Sequence, residues 1–363
     1  LVLGTTSSEW TIPSGVTAVN VAAVMFTRYG SQGQTQGILV DDSVLFVQGG
    51  GKHLREYHYD NNAQAYVSPD LCFLADHILV GFGANLGAKD FDFSQAPEPY
   101  VWVVRQDGVL CVLLYNREAA GKAWARFTFG TATVDSVAVV PGATTGDDTC
   151  YVLVKRGANR YLEMFAAPFS GYHVDCGQSI VYGTASTGYT GGTQVTGLAR
   201  FGATVDVVDV TAGLVYPAQA LASGTLTIPA AAQVAGHVIN IGILFAGFLE
   251  TFPMAPHQYL TTSQGIVKRI CAAVYRVLST FPFMIGPLAT NQATIPSGYP
   301  VVTTGLPTDL IPVPSGFTAP YTGDMWAPLP GDWDRMGKMY LQATGLDCTV
   351  LGIMAEIETD VPR

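Results

Sequence analysis

The chain has 363 residues, of which 48% are hydrophobic and only 13% charged, with a formal net charge of −10. That length supports two domains with substantial cores, and a charge content about half the soluble-protein norm predicts a surface covered largely by neighbouring subunits. The acidic balance and the lack of a basic run exclude a surface that grips nucleic acid through its phosphates.

Four stretches of the first half read as antiparallel hairpins. In residues 1–12 a polar turn at 5–8 separates two short apolar runs. In 43–59 the run Ser43-Val44-Leu45-Phe46-Val47-Gln48 passes through Gly49-Gly50-Gly51-Lys52 into a second strand. In 100–115, Tyr100-Val101-Trp102-Val103-Val104 is followed by Arg105-Gln106-Asp107-Gly108 and a second apolar run. Asp-Gly between two β-rich runs is a strong hairpin signal, because glycine accepts the positive φ of a tight turn. Residues 149–165 repeat the plan around a turn at 155–159. The copies start at 1, 43, 100 and 149, a spacing suited to propeller blades, each too small to bury its own face; an irregular β-sandwich is the other architecture that fits. Between the second and third copies, residues 69–79 carry apolar side chains at both helical and strand periods and stay unassigned.

Residues 1–170 are therefore expected to be propeller-like. Residues 171–197, rich in Gly, Ser, Thr and Tyr, mark a boundary, and 198–363 form a β-rich domain of sandwich or barrel type. Within it, strands are expected at 203–210, 214–216, 226–228 and across 238–249. The stretch 266–281 fits a helix face through Ile270, Val274, Val277 and Phe281, but its β-branched and aromatic content favours a strand. Residues 286–330 read as a long loop and 338–341 with 349–357 as a closing strand pair. The fold class is all-β.

Cysteines stand at 72, 111, 150, 176, 271 and 348 with no C-x-x-C spacing, which predicts buried free thiols and a reducing compartment of assembly. The longest apolar run, 238–249, is too short to span a bilayer and no signal peptide is evident. The chain begins mid-pattern at Leu1 without a methionine, as a segment or a processed product would.

Candidate chemistry resolves into structural uses. Gly49-Gly50-Gly51-Lys52 lacks the earlier glycine of a phosphate loop, where Phe46 stands, and His53 replaces the Ser or Thr. His53, Glu56, His58 and Asp60 crowd one strand, and alternation puts the last three on one face, expected to be an exposed face of mixed charge rather than a metal site. Asp107, Glu118, Asp135 and Asp147 are the carboxylates a glycan hydrolase would draw on, yet no spacing selects a pair. Trp326 and Trp333 flank Pro-Leu-Pro-Gly and are the candidate interface aromatics. No catalytic, cofactor or metal residue is assigned.

One ordered set of blocks is more specific than any of these. Asp42-Ser43-Val44-Leu45-Phe46-Val47-Gln48, Arg55-Glu56-Tyr57-x-Tyr59-Asp60, the block opening Asp70-Leu71, and Val101-Trp102-Val103-Val104-Arg105-x-Asp107-Gly108-x-Leu110 follow one another. Leu114-Tyr115-Asn116-Arg117-Glu118, Ala123-Trp124, Val134-Asp135-Ser136-Val137-Ala138-Val139-Val140-Pro141 and Arg160-Tyr161-Leu162-Glu163 come next. Gly331-Asp332-Trp333-Asp334-Arg335 and Thr349-Val350-Leu351-Gly352-Ile353-Met354-Ala355-Glu356-Ile357-Glu358 close the series. The set resembles the tail nozzle proteins, or tail tubular protein B, of short-tailed bacteriophages. The resemblance implies a non-enzymatic virion protein, assembled in the host cytoplasm as a hexameric ring below the tail adaptor ring. It further implies docking of tail fibres, gating of genome release, passage of genomic DNA without sequence-specific binding, no stable membrane insertion and no cofactor. Two departures stand out: the family's long N-terminal part is absent, and 286–330 and the Gly345-Leu346-Asp347-Cys348 turn diverge. The ring of blades is thus expected to be incomplete or completed elsewhere. An acidic lumen would repel DNA within about 8–10 Å at physiological salt. A propeller glycan hydrolase or a host-surface glycan-binding module is the alternative function.

Overall fold

Strand alternation and glycine-bearing turns fold most of the described residues into antiparallel sheets, so the all-β class holds. The computed structural model describes all residues except 13–14, 16, 18, 20–21, 81–86, 118–120, 128, 130–131, 143–145, 167–170, 252, 255–265, 282, 288–310, 314–319, 330–332, 334–336 and 360–363. The chain divides into two units, Leu1–Pro168 and Phe169–Arg363. Among the described residues no helix is long and apolar enough to cross a membrane.

The first unit is a series of four sheets. Strands β1 (Val2–Gly4), β2 (Glu9–Thr11) and β3 (Val24–Thr27) form the first. Strands β4 (Ile38–Val40), β5 (Ser43–Val47), β6 (Leu54–Asp60) and β7 (Ala65–Val67) form the second. After the single helical turn α1 (His77–Val80), β8 (Ala88–Ser94), β9 (Tyr100–Arg105), β10 (Leu110–Asn116) and β11 (Gly121–Phe127) form the third. Strands β12 (Thr133–Val140), β13 (Thr149–Arg156) and β14 (Asn159–Met164) form the fourth. In each sheet every strand pairs with its chain neighbour, giving plain up-and-down meanders. The undecided stretch 69–79 thus resolves into turns and α1.

Strand β9 explains how the sheets stack. Its residues are apolar at both parities because both faces are covered. Val101 and Val103 join Leu45, Leu54, Leu79 and Leu113 in the core toward the second sheet. Trp102 and Val104 join Val112, Val134, Val152 and Val154 toward the fourth. The Asp107-Gly108 turn is itself a joint between sheets. Gly108 has φ +85°, and a Cβ there would lie 2.4 Å from the Cβ of Thr133, while its carbonyl accepts the Val134 N–H at 2.8 Å. Asp90 and Asp92 extend the joint, their Oδ2 atoms accepting the N–H groups of Val137 (3.1 Å) and Val139 (2.7 Å).

The second unit opens with β15 (Cys176–Val181), β16 (Gln194–Val195), β17 (Thr204–Asp209), β18 (Leu214–Ala222), β19 (Thr225–Thr227) and β20 (Val238–Ile243), one sheet in the order β15-β20-β17-β18-β19-β16. Residues 171–197, which composition marks as a boundary, belong to this sheet: they supply β15 and β16 and bury Val174, Ile180, Tyr189 and Val195. Positive φ at Gly183, Gly188 and Gly191 allows the tight turns that return Tyr189 to the core.

The remaining strands are β21 (Ala246–Glu250), β22 (Lys268–Thr280), β23 (Phe283–Pro287), β24 (Ile311–Val313), β25 (Tyr321–Pro328), β26 (Met339–Thr344) and β27 (Thr349–Thr359). They form the sheets β21-β26-β23-β24 and β25-β22-β27, which share a core of Ile270, Tyr275, Phe283, Ile285, Met325 and Leu341. The helix-or-strand stretch 266–281 is strand β22. The run 238–249 is two strands in two different sheets. The expected loop 286–330 needs correction: it contains β24 and β25, while 288–310 and 314–319 lie outside the described residues. Its Pro, Gly and Thr content hid an alternation, Met325 and Ala327 inward against Trp326 and Pro328 outward. Strand β25 lies at a sheet edge, where a proline costs no ladder bond.

Candidate functional site

The outer face of β25-β22-β27 carries exposed apolar side chains in a defined register. Pairing sets Trp326 opposite Val274 and Val274 opposite Met354, so three apolar side chains form one row across three strands. Trp326 is 64% exposed and Met354 73%. A register shift between Arg276 and Val277 leaves Leu351 outside the pairing at 60% exposure, and Leu278 adds to the patch. The neighbouring row is ionic. Arg276 Nε and Nη2 donate to Asp324 Oδ1 and Oδ2 at 2.7 and 2.9 Å, and this bond holds the Asp324 carboxyl below its usual range. A contiguous apolar row bordered by a fixed ion pair is the anatomy of an association surface, apolar at its centre and polar at its rim. Of the two aromatics singled out by sequence, Trp326 forms the edge-strand end of this row. Trp333 is exposed but belongs to no strand, and Gly331, Asp332, Asp334 and Arg335 around it lie outside the described residues.

The fourth sheet of the first unit has a similar character. Its inner parity, Val134, Val152 and Val154, is core. Its other parity aligns Ala138, Tyr151 and Met164 in one row and Ser136, Leu153 and Leu162 in the next. Leu162 and Met164 lie on the edge strand β14 and are exposed.

The polar constellation on β6 is arranged differently from the expected exposed face. Glu56 is only 3% exposed. Its carboxylate sits 3.2 Å from Arg117 Nε, 3.3 Å from His58 Nδ1 and 3.7 Å from Lys122 Nζ, and Arg117 also pairs with Asp42. Glu56 is therefore an ionic joint between the second and third sheets, made by residues some sixty positions away, which strand alternation alone does not reveal. Burial, reinforced by the Glu56 charge, pushes the Tyr115 hydroxyl above its ordinary value. Asp60 accepts the N–H groups of Asn62 and Ala63 at 2.7 and 3.3 Å and closes the β6–β7 turn. His53 joins neither; it lies beside Asp70 and Asp76. Gly50 and Gly51 take positive φ in the β5–β6 turn, which Gly51 N–H closes on the Gln48 carbonyl at 2.9 Å.

Two of the carboxylates a hydrolase would draw on, Asp107 and Asp135, serve the scaffold. Burial alone would raise the Asp107 carboxyl, but its bond from Arg105 brings it below the usual range, and Arg105 Nη1 donates onward to the Ile78 carbonyl at 2.7 Å. Asp135 is held low by Arg160, whose Nε donates at 2.6 Å, with Lys89 Nζ at 3.7 Å. A general acid needs the opposite shift. Asp147 is exposed and Glu118 lies outside the described residues. All six cysteines are free; Cys72, Cys111 and Cys150 are buried. No protein-family model matches the sequence, and no curated protein matches it.

Proposed function

We propose that this chain is a structural ring protein of a short-tailed phage tail, a nozzle that carries genomic DNA and gates its release. The sequence blocks that resemble tail nozzle proteins supply the identity of the ring, and the solvent-facing row Trp326–Val274–Met354 is the observation that carries the assembly. Such a row loses roughly 25 cal/mol for every Å2 of apolar surface left in water, so a partner's cover is favourable. The low charge content, 13%, removes the usual penalty for burying surface between copies. Where the row of one copy meets the outer face of the fourth sheet of the next, the contact is heterologous, the kind that closes into a ring when the rotation returns on itself. The four stacked meanders serve as a partial propeller. With a net charge of −10 the ring's bore would be acidic, so DNA slides through without adhering. The virion tail is the site of action, with the adaptor ring above and tail fibres at the rim.

Sedimentation of the purified full chain tests this. A large, discrete species that Met354→Lys converts to monomer, with an unchanged circular dichroism spectrum, is the expected result. A wild-type chain that stays monomeric at the highest soluble concentration overturns the proposal.

A further inference from the structure

Residues distant in sequence converge at the end of the β5–β6 turn. Gln48 N–H donates to the His53 carbonyl at 2.9 Å, which fixes His53 at the turn's exit. Leu71 N–H donates to the Leu54 carbonyl at 2.9 Å, so the segment after β7 runs back alongside the start of β6. Asp70 arrives there oriented, its Oδ1 accepting the Cys72 N–H at 2.8 Å. Its other oxygen, Oδ2, lies 2.8 Å from His53 Nδ1. Ala75 N–H closes the following turn on the Cys72 carbonyl at 2.7 Å, and this places Asp76 Oδ1 3.8 Å from the same nitrogen. The three ligand atoms lie within 4.8 Å of one another. The His53 side chain is 31% exposed, while its Nδ1 atom is shielded from solvent with Asp70 Oδ2 beside it.

We propose that His53, Asp70 and Asp76 form a binding site for a divalent first-row transition cation of the zinc class. One imidazole nitrogen and two carboxylate oxygens suit such an ion, whereas calcium and magnesium prefer all-oxygen sites. Metal–ligand bonds of about 2.0–2.1 Å set neighbouring tetrahedral ligands about 3.3 Å apart. The separations of 2.8 and 3.8 Å from His53 Nδ1 bracket that value and all three atoms lie within 4.8 Å of one another, so side-chain rotations that draw the two carboxylates together would complete the geometry. The Cys72 N–H on Asp70 is the outer bond that such ligands need to hold their orientation. Asp76 is largely exposed, which leaves the fourth position to water. The bound ion would staple the 70–76 turn to the β5–β6 turn, and that turn projects Phe73 and Leu74 into solvent. The site is a structural clip presenting an apolar tip, and it stands independently of ring assembly.

The test is calorimetric titration of the chelator-treated full chain with Zn2+, with Co2+ absorption as a second readout. The expected result is one equivalent bound per chain at this site, with visible Co2+ bands of a low-coordinate nitrogen–oxygen environment. Asp76→Asn, an exposed and conservative change, should weaken Zn2+ at least tenfold, and His53→Gln should remove the Co2+ bands. His77→Gln should change neither. Zn2+ affinity unaltered by both Asp76→Asn and His53→Gln, or no saturable uptake by the wild-type chain, would overturn the site and leave a simple His53–Asp70 ion pair.

Discussion

Replacing Glu56 by glutamine removes a negative charge that is 3% exposed while leaving its cations in place. Deleting one partner of a fully buried pair costs about 3–5 kcal/mol. Two features reduce that figure. The Arg117 and Lys122 side chains are 31% and 38% exposed and can recover hydration, and Arg117 keeps its bond to Asp42. The amide also preserves volume and one acceptor. The expected loss is therefore about 2 kcal/mol from the first unit, or roughly 4–8 °C in its transition midpoint for a unit of this size. Urea unfolding of wild type, Glu56→Gln, Arg117→Met and the double variant, all at one chain concentration, measures it. The cycle should return a coupling of about 1–2 kcal/mol, since the residues touch. A Glu56→Gln variant within about 0.5 kcal/mol of wild type, the range of ordinary surface changes, would refute the claim that this carboxylate joins two sheets.

Three further outcomes follow from the same geometry. Gly108→Ala forces a side chain into a positive φ and against Thr133; it should destabilise the first unit by about 2–3 kcal/mol in denaturant titration, far beyond the ~1 kcal/mol of an ordinary Gly→Ala change. Burial pushes the thiols of Cys72, Cys111 and Cys150 up to about 12, from an ordinary 9.0. Because the unfolded chain loses these protons first, stability present below pH 9 should fall as pH rises from about 9 to 12, by roughly 1.4 kcal/mol per pH unit per thiol. Thermal melts across that range check the sign; the same burial should leave these three thiols unalkylated in the native chain at pH 8. On the second unit, Trp326→Ser together with Leu351→Ser should lower the association state while changing unfolding stability by less than about 1 kcal/mol, because neither side chain is in the core.

What could be read from sequence was what neighbours in sequence decide. The Asp107-Gly108 hairpin is set by a local turn preference, and 266–281 is a strand because β-branched and aromatic side chains pack on a pleated surface. Trp326 as an interface aromatic rested on its flanking prolines; its place in an apolar row required the register of three strands. Pairings over long sequence separations were hidden. Glu56 looked like one of several polar residues on an exposed face, because its cations come from the third sheet. The carboxylates beside His53 come from a turn that composition left unassigned, so proximity on β6 drew attention to Glu56 and His58 instead. The stretch 171–197 misled for a related reason: glycines that look like a linker serve as tight turns inside a sheet.

The central proposal, that the exposed rows are made to be covered by sister copies around a bore, is tested most directly by electron microscopy of the purified full chain. Closed rings with a central channel, six-fold in projection, are the predicted particles. A field of isolated globules at every concentration examined would contradict it.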